Sequence, residues 1–263
     1  MDNSVINLSN SQMLLTYVFV ILAMIITSFH GLNRNKEFII GTVRMTVQLF
    51  IAGFVLVYIF DSSSIILSTL MILLMEFFAI FNIVSSKKGQ LSKGLIGAIV
   101  IAQLIGTIFT LVFFLLIVVR PDPIYDPQYL IPLGGMIIGN SMTGINLALN
   151  QMLKSIENKR VNIEGALMLG ASPRMAMDNI IQDAFDTAIT PSLNGIKNMG
   201  IITLPGMMTG QILGGVSPLI AIRYQIAIMT AILSSVTICV FFFLRFGYKR
   251  FFNDQCQLVA NDK

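Results

Sequence analysis

Three kinds of side chain in this sequence could do chemistry. Glu76 sits in the middle of the apolar run LLMEFFAIFN. A carboxylate in hydrocarbon must face protein, water or a cation. It reads either as a buried polar contact, to Gln48 or Gln103, or as a group that carries a proton or cation. Arg44 lies one or two turns inside another apolar run, within snorkelling reach of an interface. Met136, Met142, Met207 and Met208 carry thioethers, which suit copper(I) better than iron but are also ordinary packing groups. These side chains alone do not point to iron and define no metal-ligand set.

A weak internal repeat links two of these methionine regions. Gly135–Asn140 reads GMIIGN and Gly206–Gln211 reads GMMTGQ, each shortly after a proline, Pro132 or Pro205. Glycines four apart let helix backbones approach closely. The alternative is that two flexible, Met-bearing segments line a translocation path. The path residues are then Glu76, Met136, Asn140 and Met142, with Pro205, Gly206, Met207, Met208 and Gln211. On that reading Met207→Ala and Gly206→Val impair transport without blocking assembly. Unchanged transport in both variants assigns the segment to packing.

The sequence contains no GxxxxGK[ST] phosphate loop, no HExxH, no G-x-S-x-G, no EF-hand loop and no Cys/His cluster. His30 closes the first apolar run as an interfacial residue, and Cys239 and Cys256 follow no metal or redox spacing. The chain has no evident means of hydrolysing ATP and does not read as an enzyme. No catalytic residues and no cofactor are expected on it.

The elements that must position these residues follow from composition. The 263 residues are 55% hydrophobic and 11% charged, with a net charge of +4. A soluble globular chain carries about 25% charged residues. The basic residues fall between apolar runs and not on one polar face, which excludes nucleic acid as a partner. A span needs about 20 apolar residues. About seven spans result, near 13–29, 38–60, 65–84, 94–119, 129–150, 196–215 and 219–244. The fold class is therefore all-α, a polytopic membrane helix bundle embedded in the lipid bilayer as a single domain, 1–263. The N-terminus lacks a basic region or cleavage pattern, so the first run reads as a retained helix.

Lysine and arginine set the orientation. Arg34 and Lys36, then Lys87, Lys88 and Lys93, then Lys154, Lys159, Arg160 and Arg174, and finally Arg245, Lys249 and Arg250 occupy alternate connections. The intervening connections carry Arg120 and little else that is basic. This bias predicts a plasma-membrane protein with an outside N-terminus and a cytoplasmic C-terminus. It also places the polar connection 151–195 in the cytoplasm.

Within that connection, VNIEGALMLGASPRMAMDNIIQDAFDTAITPS (161–192) is too polar to span yet is patterned as a helix pair. A short helix is predicted over 162–169, stopped by Gly170. Ser172 is a good N-cap and Pro173 suits the first helical position of a second helix. Met177, Ile180, Ile181, Ala184, Ala188 and Ile189 form its apolar stripe. Thr190-Pro191 is predicted to end or kink it. The unit reads as an amphipathic segment lying at the cytoplasmic surface. Its polar face carries Asp178, Asp183 and Asp186, and anionic lipid repels such a face, so a protein partner explains it better.

EGALMLGASP, Glu164 to Pro173, resembles the E-A-A-x-x-x-G-A-S loop of ABC transporter permeases. The resemblance implies that Glu164, Ala166, Gly170 and Ala171, with Ser172 and Pro173, couple to an ATPase. Gly165 departs from the usual second residue. Over nearly the whole chain, IPLGGMIIGNSMTG, LGASP, TLPGMMTGQILGG and AIRYQI resemble the FetB/YbbM (UPF0014) membrane proteins. That likeness implies a permease subunit of an ABC exporter, associated with iron export. It implies a homodimer, and a separate ATPase subunit that binds the ATP and magnesium. A gradient-driven secondary transporter using Glu76, an ABC permease for a non-metal substrate and a non-transporting scaffold are the alternatives.

Overall fold

The computed structural model describes residues 8–32, 34–62, 64–87, 89–253 and 255–258; Lys88 of the basic pattern lies outside them. Among the described residues the regular structure is helical, joined by short turns. Helices α1 (Asn10–Thr16) and α2 (Val18–Phe29) form the first apolar run. They are followed by α3 (Asn35–Ser62), α4 (Ile65–Ser85) and α5 (Lys93–Phe113), the last extended by a π-helical turn to Val119. Next come α6 (Pro127–Asn158), α7 (Arg160–Met168), α8 (Pro173–Asn198), α9 (Gly206–Leu213) and α10 (Pro218–Gly247).

Local chemistry sets several of these starts. Ser9 makes a capping box with Gln12, and Ser92 accepts from the Leu95 N–H at 3.2 Å. Asp126 accepts from the Gln128 N–H at 2.9 Å, with Pro127 following at the first helical position. Each cap satisfies a backbone donor that the helix itself leaves unpaired.

Helices α5, α6 and α10 pack along one another, with α4 against α5 and α6 and α8 against α6 and α10. Ile99, Ile137, Ile145, Leu149, Met152 and Phe243 are fully buried there. Small residues hold these backbones close; Gly106 on α5 faces Cys239 on α10. Helices α1 to α3 carry apolar side chains outward and touch the bundle lightly, as suits lipid-facing surface. Five helical stretches among the described residues are long and apolar enough to cross a membrane: Asn10–Phe29, Asn35–Ser62, Ile65–Ser85, Lys93–Val119 and Pro218–Phe251.

The two remaining predicted spans take other forms. The 129–150 run lies inside α6, whose 32 residues extend about 48 Å through the middle of the bundle. The 196–215 run is not one helix. It comprises the end of α8, a turn through 199–205 with Gly200 at φ +84°, and the eight residues of α9. Pro205 lacks the N–H that a continuous helix needs and instead stands as the N-cap of α9.

Two further expectations are corrected at α8. Of the end or kink expected at Thr190-Pro191, the end does not occur: the helix continues to Asn198 with Pro191 inside it. Burial of Met177, Ile180, Ile181, Ala184 and Ala188 against the bundle outweighs the lost backbone bond of about 3 kcal/mol. Nor does α8 lie flat at a surface; it runs antiparallel to α10. Arg174 sits over the Tyr248 ring at 5.5 Å, and Gln225 Nε2 stands 3.8 Å from Met199 Sδ. The stripe was read correctly, but its partner is the bundle.

Candidate functional site

Two regions collect the residues with chemistry. The first is a polar seam between α4, α5, α6 and α10. Glu76 projects from the middle of α4 and is only 4% exposed. The Thr107 hydroxyl on α5 donates to Glu76 Oε1. Gln103, one turn before Thr107, is enclosed, and its Nε2 reaches the Ile138 carbonyl of α6 at 3.4 Å. Deeper in the seam Ser141 and Ser235 share a hydrogen bond of 2.8 Å between α6 and α10. Such an interhelical bond is worth about 0.6 kcal/mol in a membrane protein. Of the two partners considered for Glu76, Gln103 is beside it, while Gln48 is exposed on α3.

A groove of about 650 Å³ adjoins this seam between α3, α4 and α6. Arg44 and Gln48 line it from α3, Met71 and Met75 from α4, and Met142 from α6. Gly135 and Gly139, the paired glycines of the first repeat, form part of its floor. Met136 packs on the core nearby, and Asn140 turns its amide to the Met136 carbonyl at 2.7 Å. Of the four residues, Met142 alone lines the groove; Glu76 lies in the adjoining seam, and Met136 and Asn140 stand one turn apart on α6, Asn140 exposed.

The second repeat lies elsewhere. Gly206 to Gln211 make up most of α9, whose main packing partner is α10. Met207 packs on the core, Met208 is half-buried, and Gly206 is exposed. The Gln211 Oε1 atom is buried without a hydrogen-bond partner, and Pro205 caps the helix. Met71 and Met75, not singled out in the sequence, are the methionines that join Met142. Thr107 was also missed. Its signal is the i, i+4 spacing with Gln103 on an otherwise apolar helix.

The second region is the turn between α7 and α8. Lys159 pairs with Asp183 at 3.2 Å, Arg174 stacks on Tyr248, and Gly94 lies against the Arg250 side chain. These contacts place the turn at the end of the bundle where basic residues gather. Gly170 has φ +89°; its N–H bonds the Leu167 carbonyl at 3.0 Å, and the Ala171 N–H bonds the Ala166 carbonyl at 3.0 Å. This pair is a Schellman closure, which requires a left-handed residue at Gly170. Ser172 then caps α8 by accepting from the Met175 N–H at 3.3 Å, and Pro173 opens the helix. Glu164 is half-exposed and ion-paired with Arg160 at 2.8 Å. The tight closure pushes Met168 and Leu169 into the open, 86% and 90% exposed.

The pattern of the uncharacterised protein family UPF0014 matches residues 10–252. The chain belongs to this family. Among its UPF0014 relatives is "Probable iron export permease protein FetB" of Escherichia coli strain K12, 32% identical over 97% of this chain and 96% of that protein. "UPF0014 membrane protein YjkA" of Bacillus subtilis strain 168 is 33% identical over 94% of this chain and 97% of that one. "Protein ALUMINUM SENSITIVE 3" of Arabidopsis thaliana is 35% identical over 84% and 79%. No solved structure matches the chain. Among the described residues of this UPF0014 member, no group of three or more His, Cys, Asp and Glu side chains is placed to hold a metal ion.

Proposed function

We propose that this UPF0014 protein is the membrane subunit of an ATP-driven metal exporter, iron being the first candidate. It works as a homodimer paired with a separate ATPase subunit that holds ATP and magnesium. The observation that carries the reading is the α7–α8 turn. It presents two apolar side chains, Met168 and Leu169, on a conformationally fixed tip, and α8 runs from that tip along the core. A fixed apolar tip is suited to a groove on a partner protein. Its motif, EGALMLGASP, resembles the coupling loop of ABC permeases. The relative named a probable iron export permease supports the cargo.

In this reading the basic end faces the cytoplasm and the N-terminus lies outside. Closure of the ATPase pair pushes on the tip, and α8 transmits the displacement along α6 and α10 towards the turn at 199–205. The groove and the Glu76 seam form the path in each chain.

Glu164→Lys tests the docking surface. It replaces an ion pair with Arg160 by a like-charge pair, a local cost of about 0.5 kcal/mol on an exposed helix. The folded chain is expected to persist, with an unchanged melting profile, while affinity purification recovers little of the ATPase. Full recovery, with ATP-coupled transport intact, removes Glu164 from the interface.

A further inference from the structure

Glu76 and Gln103 leave two acceptor oxygens unmatched. Glu76 Oε1 accepts from Thr107, but Oε2 is buried with no hydrogen-bond partner. Gln103 is 0% exposed, and its Oε1 also has no partner. The Gln103 side chain lies beside the carboxylate, with its Nε2 turned to the Ile138 carbonyl at 3.4 Å. The hydroxyl of Thr107 has a second acceptor as well, the Gln103 carbonyl at 2.7 Å. The seam is therefore rich in oxygen acceptors and short of donors.

No basic side chain among the described residues corrects this. Among the described residues the ion pairs join other groups. Glu76 is the sole ionisable residue of α4, and Lys93 stands at the far start of α5. On α6, Lys154 and Glu157 lie near the basic end; on α10, Arg223 and Tyr224 lie near one end and Arg245 near the other. Cys239 approaches from α10, with its thiol 3.8 Å from the Gln103 carbonyl, and Ser141 approaches from α6. Arg44 of α3 is exposed in the adjoining groove. An uncompensated carboxylate at mid-helix costs several kcal/mol, so a proton or a cation must neutralise it.

We propose that Glu76, Gln103 and Thr107 form an intramembrane binding site for a desolvated, oxygen-preferring metal cation. A proton neutralises the carboxylate when the cation is absent, and cation binding releases that proton. The donors are a carboxylate, an amide oxygen and a hydroxyl, a set that favours hard, oxygen-preferring divalent cations such as manganese over thiophilic copper(I) or silver(I). The groove reaches Met75 and Ala79, which flank Glu76 on α4, and supplies a route of entry. The cation's role as cargo rests on the transport reading above; its binding does not.

The test uses the purified full-length chain in nanodiscs, without the ATPase. Bound Mn²⁺, Fe²⁺ held anaerobically, and Ag⁺ are quantified after equilibrium dialysis. The expected result is saturable Mn²⁺ or Fe²⁺ binding with proton release, weakened about tenfold or more in Glu76→Gln. Thr107→Val and Gln103→Leu also weaken it, Glu76→Asp retains part of it, and Cys239→Ala leaves it unchanged. Absence of Mn²⁺ and Fe²⁺ binding in the wild type overturns the proposal. So does binding that Glu76→Gln leaves intact, or a preference for Ag⁺ that Cys239→Ala abolishes. If Glu76→Gln does not fold, Thr107→Val and Glu76→Asp decide the question by the same criterion. ATPase co-purification, measured separately on the wild type, reports on the transport reading alone.

Discussion

Gly106→Val is expected to leave little folded protein. A side chain at Gly106 would meet Cys239 Sγ at 2.2 Å, the Cys239 backbone nitrogen at 2.9 Å and its Cα at 3.2 Å. Backbone cannot step aside as a rotamer can, so α5 and α10 must separate. That contact lies at the centre of the bundle, where Ser235 also reaches the Gly106 carbonyl at 3.4 Å. Overpacking a filled core costs about 1–3 kcal/mol and sometimes more; a valine against backbone belongs at the upper end. Gly106→Ala should therefore lower the melting temperature in detergent clearly. Adding Cys239→Ala should restore only part of the loss, because the backbone contacts remain. Gly94 supplies the contrast. A side chain there would come as close as 2.8 Å, but to the Cδ atom of Arg250, a flexible and exposed side chain. Gly94→Ala should be nearly neutral in the same melt. Equal losses at both positions refute this account of the α5–α10 approach.

The contrast between these glycines shows which features the sequence makes legible. The α7–α8 unit was readable almost residue by residue: the stop at Gly170, the cap at Ser172 and the opening proline at Pro173 all appear. Those features are settled within four residues of chain, so local chemistry decides them. Pro191 follows a local rule too, but tertiary burial overrules it, and nothing near residue 191 announces α6 and α10 as the partners. The stripe at Met177 to Ala188 was correct as a pattern and silent about what it faces. An amphipathic stripe can meet lipid headgroups or a bundle equally well.

The candidate path was legible in part for a similar reason. Glu76 stands out in any apolar run, and Gln103 was one of two amides that could serve it. Gly106 carries no local mark at all, since its importance comes from Cys239 on a distant helix. The methionine reading depended on how each helix is rotated. Met142 does face the groove, but Met71 and Met75 join it there, whereas Met207 and Met208 belong to a short helix against α10. The sixth apolar run was long enough by composition to span. The turn at Gly200 and the proline cap at Pro205 divide it instead.

The double substitution Met168→Asp with Leu169→Asp is expected to abolish ATPase association while sparing the permease fold. Both side chains already stand in the open, so their loss removes almost no internal packing, and exposed changes of this kind stay within about 0.5 kcal/mol. At a docking interface the same two side chains are central apolar anchors. Truncating an anchor costs about 2 kcal/mol or more, and a buried unpaired carboxylate adds to the loss. Two such changes weaken binding by more than about a thousandfold, enough to empty a co-purified complex. The backbone closure provides an independent arm. Gly170→Asn retains access to the left-handed conformation and should keep much of the association. Gly170→Val, although nothing lies within 4 Å of its added Cβ, is strained at φ +89° and should lose the association. A Gly170→Val chain that melts normally but fails to recover the ATPase locates the function in the shape of the tip. If the double aspartate variant still recovers the ATPase in full, the partner docks elsewhere, and α8 loses its part in coupling.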